Sequence, residues 1–254
     1  MDFVLEVREI SKHFGRVRAL ESVSFGVSKG EIVGLLGDNG AGKSTVIKII
    51  SGIERPDKGH VLVDGHVVVM RSPEEARDRG IETVYQDLAL VPGMPVWRNF
   101  FLGHELVTGP AVLGRLAKGH MRASCMRALE ALGVGNVMSP DSMVDNLSGG
   151  QRQALAIGRA LHFGASVLLL DEPTAAMALG PTKRILGAVS KARDMGAAVI
   201  LISHDVADVY HVCDRFVLLE QGCSTWSVPR AEVSMGELVG VLIRKHAAVH
   251  GYGQ

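Results

Sequence analysis

Cysteine is scarce in this chain, its charge is balanced and its apolar runs are short, and each shortage closes off a class of protein. Three cysteines among 254 residues, Cys125, Cys213 and Cys223, are too few and too scattered for a disulfide framework or a thiolate metal site. Reduced thiols in a cytosolic protein are the expectation. Lysine plus arginine and aspartate plus glutamate each number 27, so the formal net charge is +0. That balance gives no basis for a general nucleic-acid binder or for adhesion to anionic lipid. The longest apolar runs, "VLLL" and "AAVILI", are strand-sized and far short of the roughly 18–20 residues of a membrane span. The opening "MDFVLEVREISKHFG" carries charge from Asp2 onward and lacks the apolar core of a secretory signal. A role at a membrane therefore needs a partner to hold the chain there.

Apolar residues are ample: at 47% of the chain they suffice for a sizeable core. "FVLEVREISKHF" alternates apolar and polar residues as a half-buried strand does, and "VSFGVSKGEIVGLLG" reads as two strands around an "SKG" turn. "KSTVIKIISGI" predicts a helix between Gly42 and Gly52, and Asp64-Gly65 predicts a hairpin. "SPEEARDRG" predicts a helix with Ser72 as N-cap, Pro73 in its first position and Glu75 closing a capping box. From about residue 88 to about 160, helix-like stretches replace the strand signals, which predicts a helical lobe inserted into the main fold. Strands and helices alternate again afterwards, through "SVLLLDE", "AAVILISH" and "RFVLLEQG". Continuous apolar strands separated by helices imply an α/β fold with a parallel sheet covered on both faces.

Chemistry concentrates at the strand ends. "GDNGAGKST", Gly37 to Thr45, follows the strand "EIVGLL", opens a helix and matches G-x-x-x-x-G-K-[ST]. Backbone N–H groups in such a loop can curl around phosphate oxygens. Lys43 reaches the β- and γ-phosphates, and the Ser44 hydroxyl ligates Mg²⁺. Asp171 and Glu172 end "VLLLDE", where an open α/β sheet binds its ligands. Asp171 suits a Mg²⁺ shell and Glu172 the polarisation of a water. His204 ends "AAVILIS" at the same expected edge, and Gln86 follows "IETVY"; each alone is equally a polar loop residue. A second anion site is written into "LSGGQRQALAIGRAL", where Ser148, Gly149 and Gly150 open another helix, although Ser148 is also simply a good N-cap.

Taken in order, "GDNGAGKST", "VYQD", "LSGGQRQ", "VLLLDEPT" and "LISHD" make the chain resemble the nucleotide-binding subunit of ABC transporters over essentially its whole length. The resemblance implies one P-loop NTPase domain (RecA-like) spanning 1–254, with an N-terminal antiparallel β subdomain and the lobe inserted in the core. It implies ATP as substrate, Mg²⁺ as cofactor and ATP contacts along Gly37, Asp38, Asn39, Gly40, Ala41, Gly42, Lys43, Ser44 and Thr45. It implies Phe14 as the aromatic that stacks on adenine, Gln86 as the hinge glutamine on Mg²⁺ and Ser148, Gly149, Gly150 and Gln151 as the signature loop. Glu172 is then the catalytic base and His204 the switch histidine, with Lys43 and Gln86 completing the catalytic set.

Two copies, or a paired cassette, are implied to join head to tail, each signature helix capping the γ-phosphate on the other's P-loop. Met177 and Ala178 depart from the family's usual residues after "DEPT", which puts the coupling of the two sites in question. The wording of "LLGDNGAGKSTVIKIISG" and "GIETVYQDLALVPGMPVWRNFFLG" is similar to the single-cassette ATPases of ribose- and fructose-type importers. That likeness implies membrane permease subunits, a periplasmic sugar-binding protein and a place on the cytoplasmic face of the inner membrane, without nucleic acid. The alternatives are another cargo, such as an amino acid or a lipid, and a soluble non-transport ABC ATPase. In "LALVPGMPVWRNFFLG", Val96, Trp97, Phe100 and Phe101 are either lobe core or an interface patch.

Overall fold

A computed structural model describes residues 2–109, 114–135, 138–175, 177, 179–203 and 205–250. The chain opens with two long antiparallel strands, β1 (Phe3–Phe14) and β2 (Val17–Ser28). β3 (Ile32–Leu36) leads into α1 (Lys43–Ile50), and β4 (Lys58–Val63) pairs with β1 and with β5 (His66–Val68). The β4–β5 hairpin turns on Asp64 and Gly65, whose φ values of 48° and 76° suit a primed two-residue turn. α2 (Pro73–Asp78) precedes β6 (Ile81–Val84). Its cap differs in one bond from the expected box. Ser72 Oγ accepts the Glu75 N–H, but the Glu75 carboxylate takes the Arg71 N–H in place of that of Ser72.

After the helical segment come β9 (Val167–Asp171), α6 (Leu179–Asp194), β10 (Ala198–Ile202), α7 (Val206–Val212), the hairpin of β11 (Arg215–Glu220) with β12 (Cys223–Pro229), and α8 (Met235–His250). The large sheet runs β5-β4-β1-β2-β12-β11-β3-β10-β9-β6. β11, β3, β10, β9 and β6 are parallel; β12 runs antiparallel to β11, and the antiparallel layer β5-β4-β1-β2 joins the rest through β12, with Ser22 of β2 opposite Cys223. Alternate residues of each central strand enter different cores. Val167 and Leu169 pack with Val46, Ile47 and Ile50 of α1 and with the β1–β2 layer. Leu168 and Leu170 pack on the opposite face with the helices of the inserted segment, α6 and α7. Burial on both faces is what the unbroken apolar spelling of β9 and β10 demands.

The inserted segment holds α3 (Val96–Phe100), α4 (Lys118–Ala131) and α5 (Gly149–His162). Val96, Trp97, Phe100 and Phe101 are all at most 4% exposed, which assigns them to the core of this lobe. A two-residue ribbon, β7 (Val107–Thr108) with β8 (Arg115–Leu116), is an addition that the sequence pattern does not announce. No helix among the described residues is long and apolar enough to cross a membrane.

Candidate functional site

β3 ends at Leu36, and the chain wraps through Gly37–Gly42 into α1. Gly42 is the N-cap at φ 105°, and it makes no side-chain capping bond. A Cβ at this position would lie 2.5 Å from Leu20 Cδ2 and 2.8 Å from the Ala19 carbonyl, so only glycine fits. First-turn N–H groups have no acceptor within a helix, and here no cap side chain supplies one. They and the positive end of the helix dipole therefore face whatever anion occupies the loop. The loop is held in shape from inside: the Ala41 N–H donates to the Asp38 carbonyl, and the Ala41 carbonyl accepts the Gly222 N–H, both at 3.1 Å. Asp38, Asn39, Gly40 and Ser44 are exposed, Gly37, Gly42 and Thr45 are half-buried, and Ala41 is buried.

Lys43 is only 7% exposed. Its ammonium donates to the Gly37 carbonyl at 2.5 Å and the Asp38 carbonyl at 2.9 Å. Burial pulls its pKa down, while the charges of Glu172, Asp38 and Asp171 act to raise it. The converse holds for Asp171, whose carboxyl is pushed up by burial and by Glu172 and is drawn back by Lys43 and Lys48. One cation and two carboxylates thus face one another at the mouth of the loop.

Sheet register explains why. Ile202 stands opposite both Leu35 and Asp171, and Leu170 stands opposite Val84. β3, β9, β10 and β6 therefore finish level, releasing Gly37, Glu172, Ser203 and Tyr85-Gln86 at a single edge. Glu172 holds φ 50°, an uncommon value for a non-glycine residue. Its N–H donates to the Ile202 carbonyl at 3.0 Å and its carbonyl accepts the Ala175 N–H at 3.1 Å, so backbone bonds on both sides impose the bend. Thr174 bonds to Asp208 of α7, tying the loop after β9 to the helix after β10. His204, the expected switch histidine, and Ala178 lie outside the described residues. Gln86 is exposed just past β6, and Phe14 is exposed at the tip of β1.

The second candidate anion site has a different character. Ser148 Oγ accepts the Gln151 N–H at 3.3 Å, and Gln151 Oε1 accepts the Ser148 N–H at 2.8 Å, a complete capping box. Beyond their own helix, the nearest neighbours of Gly149 and Gly150 belong to Met177 and Pro181. The turn is preformed and braced by the loop after β9 and by α6.

A family model described as ABC transporter matches residues 20–175. The chain belongs to the ABC transporter family. As an ATP-binding domain of that family it is an ATPase. It is 42% identical to the xylose/arabinose import ATP-binding protein XylG of Sulfolobus acidocaldarius, over 95% of this chain and 94% of that protein. It is 38% identical to the fructose import ATP-binding protein FrcA of Rhizobium meliloti, over 94% and 93%. The ribose import ATP-binding protein RbsA of Chromobacterium violaceum is 40% identical over 93% of this chain, which spans only 46% of that protein. Among solved structures, the chain superposes over its full length on a nucleotide-free ABC transporter cassette at TM-score 0.80 and 25% identity. A structure of the ADP conformation of an ABC transporter cassette matches equally, at TM-score 0.80 and 26% identity.

Within this ABC cassette, two residues that sequence reasoning passed over support the site from behind. Asn99, 0% exposed, binds the second half of the loop that follows Gln86: Oδ1 accepts the Val91 N–H at 2.8 Å, and Nδ2 donates to the Val91 and Met94 carbonyls at 3.1 and 3.2 Å. Lys12 lies against the ring of Phe14. A polar residue set among apolar ones, "VWRNFF", was the available signal for the first; a lysine in an alternating strand gives none for the second.

Proposed function

We propose that this ABC cassette is the ATP-hydrolysing subunit of a sugar importer. In this reading it works as a head-to-tail pair around two ATP molecules, carried by permease subunits at the cytoplasmic face of the membrane. The observation that carries the hydrolytic reading is the meeting of Lys43, Asp171 and Glu172 in front of the uncapped N-terminus of α1. The sugar reading rests on likeness to proteins named for xylose/arabinose and fructose import over 93–95% of the chains compared.

In the proposed reaction, the N–H groups of Gly40 and of Gly42–Thr45 and the Lys43 ammonium take the β- and γ-phosphate oxygens, while the Ala41 N–H stays on the Asp38 carbonyl and Phe14 stacks the base. Glu172 accepts a proton as the water oxygen bonds to the γ-phosphorus; the bond from that phosphorus to the bridging oxygen breaks, and ADP leaves with the electron pair. His204 contacts the departing γ-phosphate. Among the described residues no cluster of three or more His, Cys, Asp or Glu forms a metal cage. Mg²⁺ is usually held by one or two carboxylates together with phosphates and waters; here Asp171 would supply the carboxylate, with the Ser44 hydroxyl and the Gln86 amide oxygen as further ligands. When bound, the ion neutralises charge on the phosphates. The turn Ser148–Gln151, exposed at Ser148 and Gly149, completes the site on a second copy, so ATP becomes part of the interface between them. A periplasmic sugar-binding protein supplies the cargo from the far side.

Glu172→Gln is expected to abolish hydrolysis while ATP-dependent pairing persists or strengthens, read by phosphate release and size-exclusion chromatography. Normal turnover in this variant removes Glu172 as the base. Ser148→Arg is expected to stop hydrolysis with ATP still bound to the P-loop, and a fully active variant removes the composite site. Uptake of labelled pentoses and hexoses by vesicles holding the assembled transporter tests the cargo.

A further inference from the structure

Phe14 ends β1 with 44% of its surface exposed, and an isolated aromatic ring in that position is free to change rotamer. Lys12 removes much of that freedom. Its side chain is 13% exposed, and its ammonium lies 5.3 Å from the centre of the Phe14 ring, within cation–π range. The same ammonium donates to the Arg55 carbonyl at 2.7 Å and pairs with Glu54 at 3.2 Å and Asp57 at 3.8 Å. Asp57 in turn accepts the His13 N–H at 2.7 Å and donates its own N–H to the Ser11 carbonyl at 2.8 Å. The tip of β1 is thereby fastened to residues 54–57, the segment that follows the P-loop helix α1.

We propose that Lys12 is a positioning residue for the nucleobase: it occupies one face of Phe14 and fixes the ring, so that the opposite face is set to stack the base. The proposal rests on the reading of Phe14 as the base-stacking residue. The Lys12 ammonium donates to the Arg55 carbonyl, lies in ion-pair range of Glu54 and Asp57 and stands over the ring, so it is engaged at the stacking residue and not at a base edge. Lys12 therefore acts alike on adenine and guanine nucleotides.

The test compares steady-state hydrolysis of ATP and of GTP by the full chain carrying Phe14→Ala, Lys12→Met, Lys12→Arg, or Phe14→Ala with Lys12→Met. Loss of pre-ordering of one side chain is expected to raise KM about three- to tenfold in Lys12→Met, at unchanged kcat and by the same factor for both nucleotides. Lys12→Arg, which keeps a cation over the ring, is expected to restore KM to within about twofold. Added to Phe14→Ala, Lys12→Met is expected to change nothing further. If Phe14→Ala raises KM and Lys12→Met does not, Phe14 keeps its role and Lys12 loses this one. An unchanged KM in Phe14→Ala overturns both. An altered ATP-to-GTP preference in Lys12→Met, or an effect of Lys12→Met that persists without Phe14, also overturns the positioning role.

Discussion

Replacing Asn99 tests whether the loop after Gln86 is held by one buried amide. Asn99→Ala removes three hydrogen bonds, to the Val91 N–H, the Val91 carbonyl and the Met94 carbonyl. At about 1 kcal/mol net each, the upper figure is about 3 kcal/mol. Two features reduce it. Val91 is 37% exposed, so its freed groups regain water, and the Met94 carbonyl still accepts the Val144 N–H at 3.2 Å. A loss of about 2–3 kcal/mol follows, which for a chain of this size lowers Tm by about 5–10 °C.

Asn99→Asp is the sharper variant, because it keeps the shape. It places a carboxylate oxygen where Nδ2 now donates to two carbonyls, in a site with 0% exposure, so its cost is expected to exceed that of alanine. Thermal unfolding without nucleotide measures both variants, and amide exchange at Val91 reports the loop itself. Intrinsic hydrolysis per folded molecule, measured well below Tm, is expected to stay within about twofold, since Asn99 touches none of the reacting groups. An aspartate variant as stable as the parent, or Val91 exchange unchanged in the alanine variant, refutes the reasoning.

The other outcomes test the site and the thiols. Burial and Glu172 raise the pKa of Asp171, so the folded chain holds that proton more tightly than the unfolded chain, and stability falls as pH rises through and above the usual carboxylate range. Asp171→Asn is therefore expected to raise Tm without nucleotide at pH 7, by a margin that shrinks toward pH 4, while hydrolysis is lost; a lower Tm at pH 7 contradicts the assignment. Gly42→Ala forces a side chain into a left-handed position against Leu20 and the Ala19 carbonyl, with an expected cost of about 2–4 kcal/mol and loss of nucleotide binding. Near-parental denaturant stability counts against the packing given for this turn. Burial pushes the Cys125 thiol up to about 12 and raises that of Cys213 as well, whereas Cys223 is half-buried. A thiol-specific dye at pH 8 is expected to label one site on the folded protein, lost in Cys223→Ser, and three after unfolding; two fast sites refute this burial pattern.

What could be read in advance depended on whether a residue's neighbours in sequence were also its neighbours in space. "VLLLD" and "AVILI" announce strands buried on both faces because every position carries the same message, and the P-loop is spelled in consecutive residues. Asp64-Gly65 fixes its hairpin locally. β12, "CSTWSVP", carries no such message: most of it is half-exposed or exposed, and its pairing with β11 makes it a strand. The β7–β8 ribbon is two residues a side, below any periodicity. Val96, Trp97, Phe100 and Phe101 suit a core or an interface equally in composition, and only the packing of α3 against α4 and α5 decides for the core. Lys12 was invisible for a similar reason, since its partners lie 42 to 45 positions away at Glu54, Arg55 and Asp57.

The two helix N-termini that the sequence presents as similar anion sites differ in how much of each is already satisfied. α1 begins at a glycine with no capping side chain and so leaves its first-turn N–H groups open to the phosphates of the proposed site. α5 begins with a closed box, in which Ser148 and Gln151 satisfy each other. A capped end still suits an anion when the cap is serine. The Ser148 oxygen accepts from Gln151 while its own O–H proton stays available to donate, a combination that a carboxylate cap lacks. Aspartate caps a helix about as well, yet here it would set a negative charge where the proposed pairing brings a γ-phosphate. The box also orders the turn before any nucleotide arrives, so closing a pair of copies on ATP costs little further ordering of the signature side. A self-sufficient P-loop and a preformed, neutral, donor-bearing turn are therefore unequal halves of the proposed site: the first binds ATP within one chain, and the second responds to ATP that another chain already holds.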